Sequence, residues 1–169
     1  METLQAISTR RSIRKFTSEP VSDEDLDTLL WAAMAAPSAS NEHPWRFVVA
    51  RERGMLGRLS KATPFAGPLA AAPLGIVVCA DQKVLRHQGF WVIDCAAAIE
   101  NLLLAARDVG LGGVWIGVHP MAPLSLAVRL AVGLPRHVKP HSMIALGHPA
   151  EERPPVDRYD ASFVHLEQW

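Results

Sequence analysis

The stretch Phe90-Trp-Val-Ile-Asp-Cys-Ala-Ala-Ala-Ile-Glu-Asn-Leu-Leu-Leu-Ala-Ala-Arg-Asp-Val109 decides the fold. It holds no Gly or Pro and is dense in Ala and Leu, so it predicts the longest helix of the chain. Gly110 follows at the C′ position, where a left-handed residue ends a helix. The helix is apolar almost all round and must be covered on most of its faces. A chain of 169 residues has little material with which to surround it, so a partner subunit is the natural source of the rest. Asp94, Glu100 and Asn101 interrupt its apolar run, Phe90 to Ala106, which is too short to span a bilayer.

Directly after it, Gly110-Leu-Gly-Gly-Val-Trp-Ile-Gly117 turns back as a short strand over Gly113 to Val118. Leu74 to Ala80 is a continuous apolar run and reads as a strand buried on both faces, and Ser142 to Leu146 reads as another buried strand. Trp45 to Ala50, entered through Pro44, is a fourth strand. Ser22 is a good N-cap with Asp25 three residues on and Val21 and Leu26 placed as a hydrophobic staple. Asp23, Glu24 and Asp25 complement the positive end of the helix that follows. Leu26, Leu29, Leu30, Ala33 and Met34 form its apolar stripe, and Pro37 stops it. Shorter helices are expected over Glu2–Thr9, Met55–Lys61 and Ser125–Val132, and a loop with a helical turn over Thr63–Pro73. Strands and helices that mix without strict alternation predict an α+β fold in one domain, residues 1–169. The tail from Glu151 to Trp169 carries Pro154 and Pro155 and ends in Phe163, Val164, Leu166 and Trp169. It reads as a stiff arm that packs on something distant, the partner chain.

Composition bounds the function. The chain is 49% hydrophobic and 20% charged, an ordinary globular balance. Seventeen basic and seventeen acidic side chains cancel, which argues against a nucleic-acid or membrane-surface protein. The N-terminus lacks the apolar core of a signal peptide, so a cytoplasmic location is expected. Cys79 and Cys95 lie in apolar runs and read as buried free thiols. None of the seven histidines has metal-ligand spacing: His137 and His141 are four apart but straddle Pro140. No metal is expected.

Four segments carry chemistry. In Arg10-Arg-Ser-Ile-Arg-Lys-Phe16, Arg10 and Arg14 are like charges that a phosphate would neutralise, and Ser12 adds a hydroxyl between them. A solvated basic turn is the plainer alternative. Ala36-Pro-Ser-Ala-Ser-Asn-Glu-His-Pro-Trp45 joins a helix to a strand and offers Ser38, Ser40 and Asn41 as small donors and acceptors on a stiffened loop. In the third, Gly110 to Gly117, a dinucleotide fingerprint fails: Trp115 stands where the third glycine is required, and the element order is reversed. What remains is a glycine-flanked strand that lets backbone approach a ligand closely. The fourth, Gly147-His-Pro with Arg158 beyond it, offers one more phosphate ligand or a surface arginine paired with Asp157 or Asp160.

In this order and spacing the four segments resemble the nitroreductase family, over essentially the whole chain from Thr3 onward. The chain is similar to the family's smaller members, with a short lid. The resemblance implies a three-layer sandwich around a central, mostly antiparallel sheet, and an intertwined homodimer with two FMN molecules in its interface. Carried over by position, Arg10, Ser12 and Arg14 would bind the flavin phosphate and ring edge, with Arg11 in the same stretch. Pro37, Ser38, Ala39, Ser40 and Asn41 would come from the other subunit. Trp115, Ile116 and Gly117 would line one flavin face and offer a backbone N–H towards N5. Arg158 would close on the phosphate. The family pattern often has glutamine where this chain has His43.

The resemblance further implies an oxidoreductase that takes hydride from NADPH or NADH and passes it to a small acceptor of nitroaromatic or quinone type, in ping-pong order through flavin N5. The cofactor carries the redox chemistry and the protein supplies orientation and charge, so no catalytic side chain is nominated. Two other readings use the same features. One is a different flavin reaction on this scaffold, such as reductive dehalogenation, flavin fragmentation or dehydrogenation of a metabolite. The other is a non-enzymatic FMN-binding protein. The short Thr63–Pro73 loop, with Phe65 as its one aromatic, favours an open site.

Overall fold

A computed structural model describes residues 1–169. In chain order the elements are α1 (Thr3–Thr9), α2 (Asp23–Met34), β1 (Trp45–Ala50), α3 (Arg53–Leu59), β2 (Leu74–Asp81), α4 (Trp91–Asp108), β3 (Gly112–Gly117), α5 (Ala122–Val132) and β4 (Val138–Gly147). Short 3-10 turns cover Ala39–Asn41, Gly67–Ala70 and Ala161–Phe163. The strands form one sheet in the order β1-β2-β4-β3, with every neighbouring pair antiparallel.

Helices cover both faces of the sheet, which makes three layers. On one face Leu74, Ile76, Val78, Ile144 and Leu146 pack with α2 and α4. On the other, Val77, Cys79, Val114, Ile116, Met143 and Ala145 pack with α3 and α5. Successive strand residues point to opposite faces, so where β2 and β4 are covered on both, over Leu74–Ala80 and Met143–Leu146, they carry no charged or strongly polar side chain. That is why those stretches read as buried strands. Both cysteines are free and buried, and burial pushes each thiol pKa up to about 12.

The α2 cap forms as expected. Asp25 N–H donates to Ser22 Oγ at 3.0 Å, a bond worth about 1 kcal/mol. The Ser22 hydroxyl donates to the Asp25 carboxylate at 2.7 Å, so the reciprocal bond runs side chain to side chain. Val21 is buried, and Leu26 packs against the same core. The apolar stripe is narrower than expected: Leu29 and Ala33 are buried, whereas Met34 is half exposed. Gly110 has φ +82° and closes α4. Helix α5 starts earlier than Ser125, at Ala122, with Pro123 in its first turn, a position where the missing N–H costs nothing.

Strand β4 is twice the expected length. The polar, proline-containing run Lys139-Pro-His141 disguises its first half, and the register against β2 shifts there: Val78 faces Ser142 and Cys79 faces Pro140, leaving His141 as the extra residue of a bulge. A proline without an N–H is tolerated at such an irregularity.

Helix α4 is covered on one side only within a single chain. Its buried residues include Trp91, Cys95, Ile99, Leu102 and Ala106, while Ile93 stays 64% exposed. Trp31 on α2, Leu126 and Leu130 on α5, and Leu4 on α1 are exposed too. No helix is long and apolar enough to cross a membrane.

Candidate functional site

Residues 10 to 16 form a strap. The pairing of like charges at one helical face does not arise, because α1 ends at Thr9 and Arg10 is already extended. The strap lies along the free edge of β3: Ser12 bridges Gly113 in parallel, and Ile13 N–H donates to the Gly113 carbonyl at 3.0 Å. Ile13 fits there because Gly112 has no side chain; a Cβ at 112 would stand 2.8 Å from Ile13 Cβ.

The other end of the strap is tied to the turn after β4. Ala150 N–H donates to the Lys15 carbonyl and Thr17 N–H to the His148 carbonyl, each at 2.9 Å. Glu151 is the clasp. One carboxylate oxygen accepts from Arg14 N–H at 2.7 Å and Lys15 N–H at 3.3 Å, and the other accepts from Arg153 at 2.7 Å. The Arg14 N–H above all, and then Arg153, hold the Glu151 carboxyl below its usual pKa, against the opposing effect of burial.

Between strap, α4 and this turn lies a cavity of about 710 Å³, lined by Arg10, Arg11, Leu103, Arg107, Gly113 and Arg153 among others. Three of its four arginines have partners. Arg10 pairs with Glu100 at 3.2 Å, Arg107 Nε donates to the Thr9 hydroxyl at 3.0 Å, and Arg153 is bound to Glu151. Arg11 Nε is buried with no partner. A buried donor left unpaired costs roughly 1–3 kcal/mol, and an anion in the cavity would relieve it.

The loop from Pro37 to Asn41 lies elsewhere. Ala39 N–H donates to Asp94 Oδ1, in the first turn of α4, at 2.9 Å. Ser38 Oγ accepts from His43 N–H at 3.0 Å. Ser40, Asn41 and His43 all have left-handed φ, between 47° and 57°, strain that the surrounding hydrogen bonds must hold. The Asn41 amide is engaged by the His43 ring, Nε2 to Oδ1, at 2.8 Å. Pro37, Ser40 and Asn41 are exposed, and Ser38 and Ala39 half-buried. Asp94 and Leu103 are nine residues apart on one helix, roughly 13 Å at 1.5 Å per residue. Within one chain, the strap cavity and this loop therefore occupy different stretches of α4.

Strand β3 lies beside the strap. Val114 and Ile116 are buried against the α3–α5 layer, while Trp115 turns towards α4 and packs there. Its indole Nε1–H donates to Ser142 Oγ at 2.6 Å. Gly117 is exposed, with nothing within 4 Å of where a Cβ would stand. Arg158 sits on the exposed arm and is not among the cavity's lining residues. Phe65 is exposed.

Asp94, Glu151, Arg107, Arg153, His141 and Ser142 carry structural or electrostatic weight here and were not anticipated. Only Asp94 gave a signal, as an acidic residue inside an apolar helix. No three or more His, Cys, Asp or Glu side chains come together as a metal site.

The profile of the nitroreductase family matches residues 7–66 and 60–148. A relative from Methanothermobacter thermautotrophicus, provisionally named an NADH dehydrogenase/NAD(P)H nitroreductase, is 44% identical over 169 residues, spanning 100% of this chain and 88% of its own. A crystal structure of a protein with the same provisional name, from Parabacteroides distasonis, has a TM-score of 0.94 at 38% identity and covers 99% of this chain and 98% of that one. A provisionally named nitroreductase from Desulfovibrio desulfuricans, solved in complex with FMN, has a TM-score of 0.87 at 34% identity and covers 100% and 98%. The sequence segments, the three-layer antiparallel fold and these likenesses across the full length agree: the chain belongs to the nitroreductase family.

Proposed function

We propose that this chain is an FMN-dependent oxidoreductase that moves electrons from NADPH or NADH to a small organic acceptor of the nitroaromatic or quinone type. The observation that carries the reading is the arginine-lined cavity beneath the strap, where the buried Arg11 Nε has no partner. This is a site for a phosphate group, and the related protein solved with FMN supports the identity of the ligand.

The residues suit the group. Arg10, Arg11 and Ser12 would hold the phosphate. Arg10 gives up little by turning to it: its partner Glu100 is half exposed, such a surface pair is worth about 0–1 kcal/mol, and a hydrogen bond to a charged group is worth about 1.5–3 kcal/mol. Arg14 spends its backbone N–H on Glu151, which leaves its guanidinium to supply positive charge at the ring edge. The backbone of Trp115, Ile116 and Gly117 would face the ring, with Gly117 leaving room for close approach. When bound, FMN supplies the two-electron chemistry that links nicotinamide to acceptor. The chain binds, orients and shields, and no side chain is assigned as acid or base.

A second copy of the chain completes the site in this reading. The Pro37–Asn41 loop would contribute from the opposite subunit, in keeping with its distance from the strap along α4. The partner also accounts for the exposed Trp31 on α2 and Ile93 on α4, which lie in the same helical layer, since large exposed apolar side chains mark an interface. The arm beyond Glu151 is exposed throughout and carries Tyr159, Phe163, Leu166 and Trp169. We assign it to the partner's surface, with Arg158 brought to the phosphate. Free thiols at Cys79 and Cys95 suit the reducing cytoplasm.

The test is the visible spectrum of the purified protein, followed by anaerobic addition of NADPH or NADH. Flavin bands that bleach on addition establish a flavin reductase and leave the acceptor to be found by turnover. Colourless protein that takes up no added FMN overturns it.

A further inference from the structure

Trp115 is held by a chain of buried polar groups that the redox chemistry does not use. Its indole Nε1–H donates to Ser142 Oγ at 2.6 Å, and Ser142 Oγ lies 3.0 Å from His141 Nδ1. Both are buried, Ser142 at 1% exposure and His141 at 5%. An indole can only donate, so the Ser142 oxygen accepts from it. The Ser142 hydroxyl hydrogen then has one recorded acceptor, His141 Nδ1. The arrangement that leaves no buried donor unpaired therefore runs from Trp115 through Ser142 to a neutral imidazole. Burial favours that neutral form: desolvation first, then the nearby His119, brings the His141 pKa down to about 4.

The β4 bulge makes this possible. In a regular strand His141 and Ser142 would point to opposite faces. The extra residue at 141 puts both side chains on the α4 side, because a bulge re-aims side chains. Trp115 pairs across the sheet with Ile144 and reaches diagonally to Ser142. The His141 ring stands 5.9 Å from both the Trp91 and the Trp115 rings, so the acceptor itself packs against two indoles.

We propose that Ser142 and His141 are positioning residues that fix the orientation of the Trp115 indole, and through it the face that β3 presents to the cofactor. This rests on the reading that Trp115 to Gly117 line the flavin. A local hydrogen-bond chain alone would pack the strand. What it adds here is a single indole orientation next to the Ile116-Gly117 backbone.

Two readouts separate the inference from the cofactor reading. The first needs no flavin: the Trp115 indole N–H, assigned by its loss in Trp115→Phe, should give a downfield, slowly exchanging proton resonance. In Ser142→Ala and in His141→Phe, which keeps the ring but removes the acceptor, that resonance should move upfield and exchange at least tenfold faster. His141→Asn, which keeps an acceptor at the Nδ1 position, should resemble the native protein. The second readout is the absorbance and emission of bound FMN, with the single-turnover rate of its reduction. Ser142→Ala and His141→Phe should alter these alike, the rate by about tenfold, a factor equivalent to one hydrogen bond. The double variant should be no worse than either, as expected of one chain.

Should Ser142→Ala not fold, His141→Phe and His141→Asn carry the same comparison. An indole resonance unchanged in the folded variants overturns the chain. A shifted resonance with unchanged flavin spectrum and rate overturns its link to the site. Native protein that binds no FMN overturns the cofactor reading and with it that link, leaving the first readout to decide the chain alone.

Discussion

Gly112→Ala tests whether the strap is seated by shape. The added Cβ would lie 2.7 Å from Ile13 Cγ1 and 2.8 Å from Ile13 Cβ, where ordinary carbon contacts begin near 3.5 Å. The clash therefore requires a shift of about 0.7 Å. It cannot be absorbed by a rotamer, because Ile13 Cβ is fixed to the backbone, and trimming Ile13 to Ala would leave the same atom in place. The strap itself must move, straining the Ile13 N–H bond to the Gly113 carbonyl. Overpacking of this kind costs about 1–3 kcal/mol. The displaced segment carries Arg10, Arg11 and Ser12, and one lost charge-assisted bond of about 1.5–3 kcal/mol should weaken FMN binding by roughly 10- to 100-fold. The assays are urea denaturation of the apoprotein and fluorescence titration with FMN. Ile13→Ala/Gly112→Ala should recover little of the loss that Gly112→Ala causes. A Gly112→Ala protein with native stability and native FMN affinity would refute the seating argument, and recovery on trimming Ile13 would refute the claim that the strap must move.

Three more outcomes are expected. Because the folded His141 pKa, about 4, lies below the unfolded value of 6.5, its contribution to stability is complete above pH 6.5, falls as pH drops towards 4, and levels off below. The difference amounts to about 3 kcal/mol, so His141→Asn should flatten the native stability–pH curve over that window; an equally steep curve in the variant would contradict this. Asp94→Ala removes the acceptor for Ala39 N–H and should cost about 1–3 kcal/mol, with faster amide exchange confined to residues 37–43, whereas Asp94→Asn should retain the loop; uniform loosening of the molecule would argue against a local role. Deleting residues 154–169, all exposed in the single chain, spares Arg153 and its bond to Glu151; it should leave the fold intact by circular dichroism and, on the reading that the arm covers a partner subunit, shift sedimentation towards monomer, since large apolar side chains such as Phe163 and Trp169 each contribute about 1.5–3 kcal/mol when buried. A truncated chain that stays fully dimeric would place the arm elsewhere.

Much of the fold was legible in the chain because its causes are local. The Ser22 cap, the C′ glycine at 110, the apolar runs of β2 and β4, and the unbroken propensity of α4 each need only a few neighbouring residues. The failures were also physical. Pro140 and the polar residues beside it hid the first half of β4, because a bulge admits what a regular ladder forbids. The two arginines at 10 and 14 suggested a helical face, but the backbone leaves the helix at Arg10 to pair with an edge strand far along the chain.

The sequence by itself determined the type and approximate place of the main helices and strands, and that α4 is apolar on more faces than one short chain covers, since propensity, period and residue chemistry act over a turn or two. Only the tertiary structure decided that Glu151 clasps Arg14 across 137 residues, that Gly112 exists to seat Ile13, and that a bulge aligns His141 and Ser142 beneath Trp115. Those relations depend on which distant segments packing brings within 3 Å of each other, and no local pattern in the chain encodes that distance.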